Sequence, residues 1–168
     1  MLHIFPIPLE ILNRLFHYRQ QQIPNTAIVQ ADDFYRVMDE HERAGLDARG
    51  GYLSYYDWQR LEAQFLLPLA QGHSAHTERY NWGENRLGEW TVVPAEGVIV
   101  VEGLYTLRPE LRAYYHVKIW VETSFPTRMG RQGERTDPWE WVERWEAAEV
   151  FYVQQHTPQA YADIVVDE

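Results

Sequence analysis

The sequence predicts an α/β protein built on a parallel sheet. Three observations predict it. Short β-branched runs recur along the chain, at residues 26–30 (TAIVQ), 98–101 (VIVV), 116–122 (HVKIWVE) and 163–167 (DIVVD). Segments with helical apolar spacing fall between them, the alternation that gives parallel sheets. The first two runs lead into acidic residues beside turn positions, Asp32-Asp33 after the first and Glu102, before Gly103, after the second. The carboxyl ends of parallel strands are where open α/β sheets bind ligands.

The chain's 168 residues suit one domain, expected to span residues 1–168. Seven Trp and eleven Tyr supply core and stacking surface and argue against disorder. A net charge of −10 disfavours a broad phosphate-tracking surface, so no nucleic-acid partner is expected. A local basic pocket for a small phosphorylated ligand remains compatible with it. The chain has no Cys, which excludes disulfides, thiolate metal sites and a Cys nucleophile. No apolar run reaches the ~20 residues of a membrane-spanning helix. The first ten residues, MLHIFPIPLE, lack a basic leader and a cleavage site, so a cytoplasmic protein with no membrane partner is expected.

Taken in order, Leu2–Phe5 predicts a short strand, broken by Pro6 and Pro8. Leu9, Leu12, Leu15 and Phe16 predict an amphipathic helix that Pro24-Asn25 ends. The strand at 26–30 leads into Asp32 and Asp33, which either cap a helix or line a site. Residues 38–52, polar and with three glycines, predict a mobile loop. Asp57 predicts the cap of a helix over 58–70, with Leu61, Phe65, Leu66 and Leu69 as its apolar face. Residues 72–88 predict a second irregular stretch. His73 and His76 within it have helical spacing, but nothing completes a metal site there. A strand over 89–94 leads to Val98–Val101, read as a strand buried on both faces. Gly103 after it permits a sharp turn or a close approach. A short helix is predicted over 107–115, then a strand over 116–122. Arg128 and Arg131 share one face of a helix over 125–135, which also carries Arg135. A helix over 139–155 and a strand over 163–167 end the chain.

With these elements placed, the chain from Ala27 onward resembles the uridine kinase and phosphoribulokinase group of P-loop kinases. Asp32-Asp33-Phe34-Tyr35 resembles the group's D-x-[FY]-Y motif at a strand end. Tyr56-Asp57-Trp58, with the Leu-rich segment and Pro68-Leu69, resembles the stretch after its first substrate loop. Tyr80-Asn81-Trp82 is similar to its Y-D-[FW]. Val98–Gly103 resembles its strand ending in E-G, Arg128, Arg131 and Arg135 its lid arginines, and residues 161–166 its last strand. The resemblance implies a three-layer P-loop NTPase-type fold, a parallel sheet flanked by helices with a lid segment. It also implies transfer of the ATP γ-phosphoryl group to a hydroxyl of a nucleoside-like substrate, with Mg²⁺ as cofactor. Asp32 would then take the hydroxyl proton or help hold Mg²⁺, and Glu102 would hold Mg²⁺. Asp33, Tyr35, Asp57, Tyr80 and Arg135 would contact substrate. Arg128 and Arg131 would close over the nucleotide phosphates during catalysis.

One departure stands against this. The group's phosphate cradle, G-x-x-x-x-G-K-[ST], occurs nowhere in the 168 residues. Its expected place holds Phe5-Pro6-Ile7-Pro8-Leu9. Proline has no N–H to offer a phosphate, and no Lys stands there. The nearest cation is Arg14. Asn81 and His116 stand where the group often has Asp. Two further readings follow: a degenerate member that binds substrate or a partner without phosphoryl transfer, and an N-terminus altered by a frameshift or displaced start.

Overall fold

The computed structural model describes residues 2–3, 26–133 and 137–167. Five strands form two groups of parallel pairs, one of three strands and one of two. β1 (Leu2–His3) pairs with β6 (Ile119–Glu122), and β6 pairs with β7 (Ile164–Asp167). β2 (Thr26–Gln30) pairs with β5 (Val98–Glu102), and β1 lies beside β5. The spatial order is therefore β2–β5–β1–β6–β7. Parallel neighbours bring their carboxyl ends to one edge. In β2 and β5 the register sets Gln30 opposite Glu102.

β5 is not evenly buried. Val98 is 40% exposed and Val101 only 3%, so the strand sinks into the core toward its acidic end. After β2 the chain makes one tight 3₁₀ turn, Ala31–Phe34. Neither Asp32 nor Asp33 caps it: its first position is Gln30, which makes no capping bond. After β5, Gly103 adopts φ +121°. A Cβ there would stand 2.8 Å from the Ala31 Cβ. The two strand ends are in close contact, and only a residue without a side chain fits.

The expected loop at 38–52 is instead two short helices, α1 (Glu40–Ala44) and α2 (Ala48–Ser54). Each is started by an aspartate. Asp39 accepts from the His41 N–H at 2.8 Å, and Asp47 from the Gly50 N–H at 2.6 Å. Gly51 lets α2 pack against α6 (Trp139–His156), because a Cβ there would meet the Ala148 Cβ at 3.0 Å. Asp57 does cap α3 (Trp58–Leu61), accepting from the Arg60 N–H at 3.1 Å. That helix continues through a wider π-helical stretch, Glu62–Leu66, into α4 (Leu67–Ala70).

The expected irregular stretch at 72–88 is mostly an antiparallel hairpin, β3 (Ala75–Asn81) and β4 (Arg86–Val93). Ala75, Thr77 and Tyr80 face inward from β3. Its other side is polar, which masks the strand when composition alone is read. His76 lies on that exposed side, and His73 precedes the strand. The helix expected over 107–115 shrinks to turns and a 3₁₀ segment, Arg112–Tyr114. Tyr105, at φ +59°, starts the turns, and the Leu107 and Leu111 side chains anchor them, both fully buried. α5 (Phe125–Gly133) and α6 form as expected. The predicted N-terminal helix, Phe5–Leu9, Arg14 and Arg135 lie outside the described residues.

The core lies between the sheet and α2, α3 and α6. It holds Val29, Phe34, Tyr35, Tyr52, Phe65, Leu107, Leu111 and Tyr152. Tyrosines fill much of it, edge to face: Tyr105 meets Tyr52 at 5.1 Å and Tyr56 at 5.4 Å.

Candidate functional site

Two carboxylates stand at the joined ends of β2 and β5. Asp32 is exposed on the 3₁₀ turn, and Glu102 is the last residue of β5, only 6% exposed. Burial pushes the Glu102 carboxyl up to about 7, and the charge of Asp32 adds to the rise. The Gln30 side chain, opposite in register, bonds to Glu102 and opposes it. Asp33 is also raised, by burial first, although Arg79 Nε sits 3.3 Å from its carboxylate. Three carboxyl groups thus feel one another at one sheet edge. Asp32 and Glu102 offer only hard oxygen donors, the set that suits Mg²⁺ when phosphate oxygens complete its shell. Among the described residues, no group of three or more His, Asp or Glu is placed to hold a metal by itself.

The Asp32 carboxylate is oriented by Tyr56, a motif residue to which the sequence gives no site role. The Tyr56 hydroxyl donates to Asp32 Oδ1 at 3.0 Å. Backbone bonds bring the two segments together: Arg36 N–H to the Tyr55 carbonyl and Asp57 N–H to the Phe34 carbonyl, each 2.8 Å. Arg60 tightens the junction, donating to the carbonyls of Asp33 and Glu78 with its guanidinium over the Phe34 ring.

Tyr35 and Tyr80 come together, their rings 5.3 Å apart. With Trp82 and Trp145 they wall a cavity of about 140 Å³. Trp82 stacks on Tyr35 at 4.6 Å, and the Trp145 indole N–H donates to the Tyr35 hydroxyl at 2.9 Å. Asp57 makes the cap expected of it and one ion pair besides. Its carboxylate caps α3 and pairs with Arg36 at 3.6 Å. Arg128 is bound by α6: its guanidinium reaches Glu146 at 2.7 Å and Glu149 at 3.4 Å. Arg131 is half-buried in the last turn of α5.

No family model matches the chain. A uridine kinase of Clostridium perfringens is 25% identical over 122 residues, covering 68% of this chain and 56% of the relative. The chain thus spans little more than half the length of the curated relatives it matches. Among solved structures, a possible uridine kinase from Bacillus stearothermophilus superposes with TM-score 0.70 at 19% identity, covering 95% of this chain and 81% of that one. Phosphoribulokinase from Rhodobacter spheroides gives 0.65 at 16% identity, covering 99% of this chain and 69% of that one. Among the described residues no helix is long and apolar enough to cross a membrane. The parallel strand pairings, the paired strand-end carboxylates and these likenesses agree: the chain has the P-loop kinase fold and resembles the uridine kinase and phosphoribulokinase group.

Proposed function

We propose that the chain is a small-molecule kinase domain that transfers the γ-phosphoryl group of ATP to a hydroxyl of a nucleoside-like substrate. The observation that carries this reading is the Asp32–Glu102 pair on adjoining strand ends, with Asp32 held by Tyr56. Asp32 accepts the proton of the attacking hydroxyl. The hydroxyl oxygen bonds to the γ-phosphorus as the bond to the β-phosphate bridging oxygen breaks, leaving ADP. Glu102 would hold Mg²⁺, which would neutralise phosphate charge when bound. Arg128 and Arg131 contact the nucleotide phosphates. Tyr35 and Tyr80 offer ring faces to the acceptor, with Asp33, Asp57 and Arg135 as further polar contacts. The site works in the cytoplasm, on small molecules.

The test is titration calorimetry with Mg-ATP and Mg-GTP, followed by a turnover assay. Heat of binding, and turnover lost in Asp32→Ala, support the reading. Absence of heat up to millimolar nucleotide would sink it for this chain.

A second reading is binding without phosphoryl transfer. It is favoured by the absence of G-x-x-x-x-G-K-[ST] from the sequence and by the pairing of Arg128 with Glu146 and Glu149. It requires substrate binding with no turnover, and measurable turnover refutes it.

A further inference from the structure

A second cavity, of about 330 Å³, lies between α5 and α6. Phe125 and Met129 wall it from α5, and Trp139, Val142, Glu143 and Ala147 from α6. Each set recurs at intervals of three and four residues, so each shares one helix face. None of these residues lines the cavity beside Tyr35 or belongs to the strand-end carboxylates.

Val142 forms a closed part of the wall, only 3% exposed. The two rings are open to solvent, Phe125 by 54% and Trp139 by 56%. Among the described residues, the one guanidinium near either ring is that of Arg128, 5.7 Å from the Phe125 centroid. Glu143 supplies a charge. Its carboxylate accepts from the Trp139 indole N–H at 2.9 Å, which fixes it beside that ring. The donor is neutral and leaves the charge in place. No Lys, Arg or His lines the cavity. Glu146, which also lines it, already has Arg128 as partner at 2.7 Å.

We infer that this cavity binds a small organic cation, a primary ammonium carried on an apolar body the size of one ring. The ammonium donates to Glu143 against the Trp139 ring, and the body covers Phe125, Met129, Val142 and Ala147. Charge selects the class. An anion meets a like charge, and a neutral apolar ligand covers Glu143 without satisfying it. An ammonium is attracted by the carboxylate and by the ring face together. Size agrees. A cavity of about 150 Å³ holds benzene, so one of about 330 Å³ takes a ring with a short ammonium arm. Covering two open rings adds hydrophobic gain. No existing contact has to break. Arg128 keeps Glu146, and a carboxylate that accepts one indole N–H has lone pairs left for an ammonium.

The test uses phenethylammonium, phenethyl alcohol, hydrocinnamate and N-acetyl-lysine amide as probes. Each is titrated into the isotope-labelled full chain while the tryptophan indole N–H signals are followed by NMR. The Trp139 signal is the one missing from Trp139→Phe. Phenethylammonium is expected to move that signal and to bind about fivefold tighter than phenethyl alcohol, the scale of one exposed cation–ring contact with one exposed ion pair. Hydrocinnamate is expected not to bind. N-acetyl-lysine amide, an ammonium on a chain without a ring, is expected to bind several-fold more weakly than phenethylammonium. Glu143→Gln is expected to erase the preference for the cation and leave the alcohol's affinity unchanged. Ala147→Phe, which fills the cavity from an exposed helix position, is expected to abolish binding of both.

An unmoved Trp139 signal at millimolar phenethylammonium overturns the inference, as does equal affinity for the ammonium and the alcohol. Lysine amide binding as tightly as phenethylammonium overturns it too, since charge alone would then be read. So does a cation preference that survives Glu143→Gln, or binding that survives Ala147→Phe. No arm reads nucleotide binding or turnover, and Glu143 takes no part in the kinase reading, so either can fail while the other stands.

Discussion

The Tyr56 hydroxyl and the Asp32 carboxylate, 24 residues apart in sequence, meet at 3.0 Å. Tyr56 is buried and Asp32 is exposed. The bond therefore ties a fixed donor in the core to an acceptor at the surface. Burial raises the Tyr56 hydroxyl well above its usual range, and the Asp32 charge adds to this. The proton stays on tyrosine, and the carboxylate keeps a donor at every physiological pH.

Removing that donor tests the relationship. Tyr56→Phe is expected to lower stability by about 1 kcal/mol, the net worth of one such bond. Urea unfolding with an unchanged slope measures it. If the kinase reading holds, turnover falls while substrate affinity stays nearly constant. An unchanged midpoint and unchanged turnover would show that the bond positions nothing.

Gly103 is the second point of leverage. With φ +121° and the Ala31 Cβ 2.8 Å from any Cβ placed there, Gly103→Ala meets both strain and a clash. A loss of about 2 to 4 kcal/mol is expected, from the backbone strain and overpacking together. Thermal melting reads it directly. A variant as stable as the parent would show that the two strand ends can separate without cost.

Arg60 fastens the hairpin to the Asp33 turn through two carbonyls and the Phe34 ring. Arg60→Ala is expected to cost about 1 to 3 kcal/mol, because two part-buried carbonyls lose a charged donor. Arg60→Lys is expected to restore only part of it, since an ammonium cannot span both acceptors as the planar fork does. Full recovery with lysine would argue for a charge effect alone.

Glu149 sets a pH dependence. It is 4% exposed, and burial raises its carboxyl well above the usual range despite the opposing pull of Arg128. The folded state thus holds the proton more tightly than the unfolded state. Its stabilising contribution is complete below the unfolded value, near 4.5, and is lost as pH rises toward the folded value. Glu149→Gln is expected to flatten this decline between pH 5 and the folded value while Arg128 keeps Glu146 as partner. Denaturation midpoints across pH for both proteins check it. Parallel pH profiles would place the titrating group elsewhere.

Local pattern was enough for some of this protein. TAIVQ and VIVVE are strands because short β-branched runs ended by turn-formers have few alternatives. Asp57 caps α3, and α6 follows its apolar spacing. The segments whose structure departs from their local pattern share a cause. Residues 38–52 and 72–88 are polar because each shows one face to water. Their order comes from Asp39 and Asp47 as caps and from inward Ala75, Thr77 and Tyr80, each set off by polar neighbours. The segment 107–115 has helical composition, yet buried Leu107 and Leu111 and the left-handed Tyr105 hold it in turns.

The sequence by itself determined the parallel α/β class, the acidic residues that follow β2 and end β5, and the motif order that resembles the kinase group. These depend on neighbours along the chain, where period and turn chemistry suffice. Only the tertiary structure decided what those residues touch. It gave Asp32 to Tyr56, paired Asp57 with Arg36, tied Arg128 to α6, and brought Arg43, Arg144 and Glu40 around a ring-lined cavity. Partners so far apart in sequence leave no periodic trace, because their meeting depends on how separate elements pack rather than on any local preference.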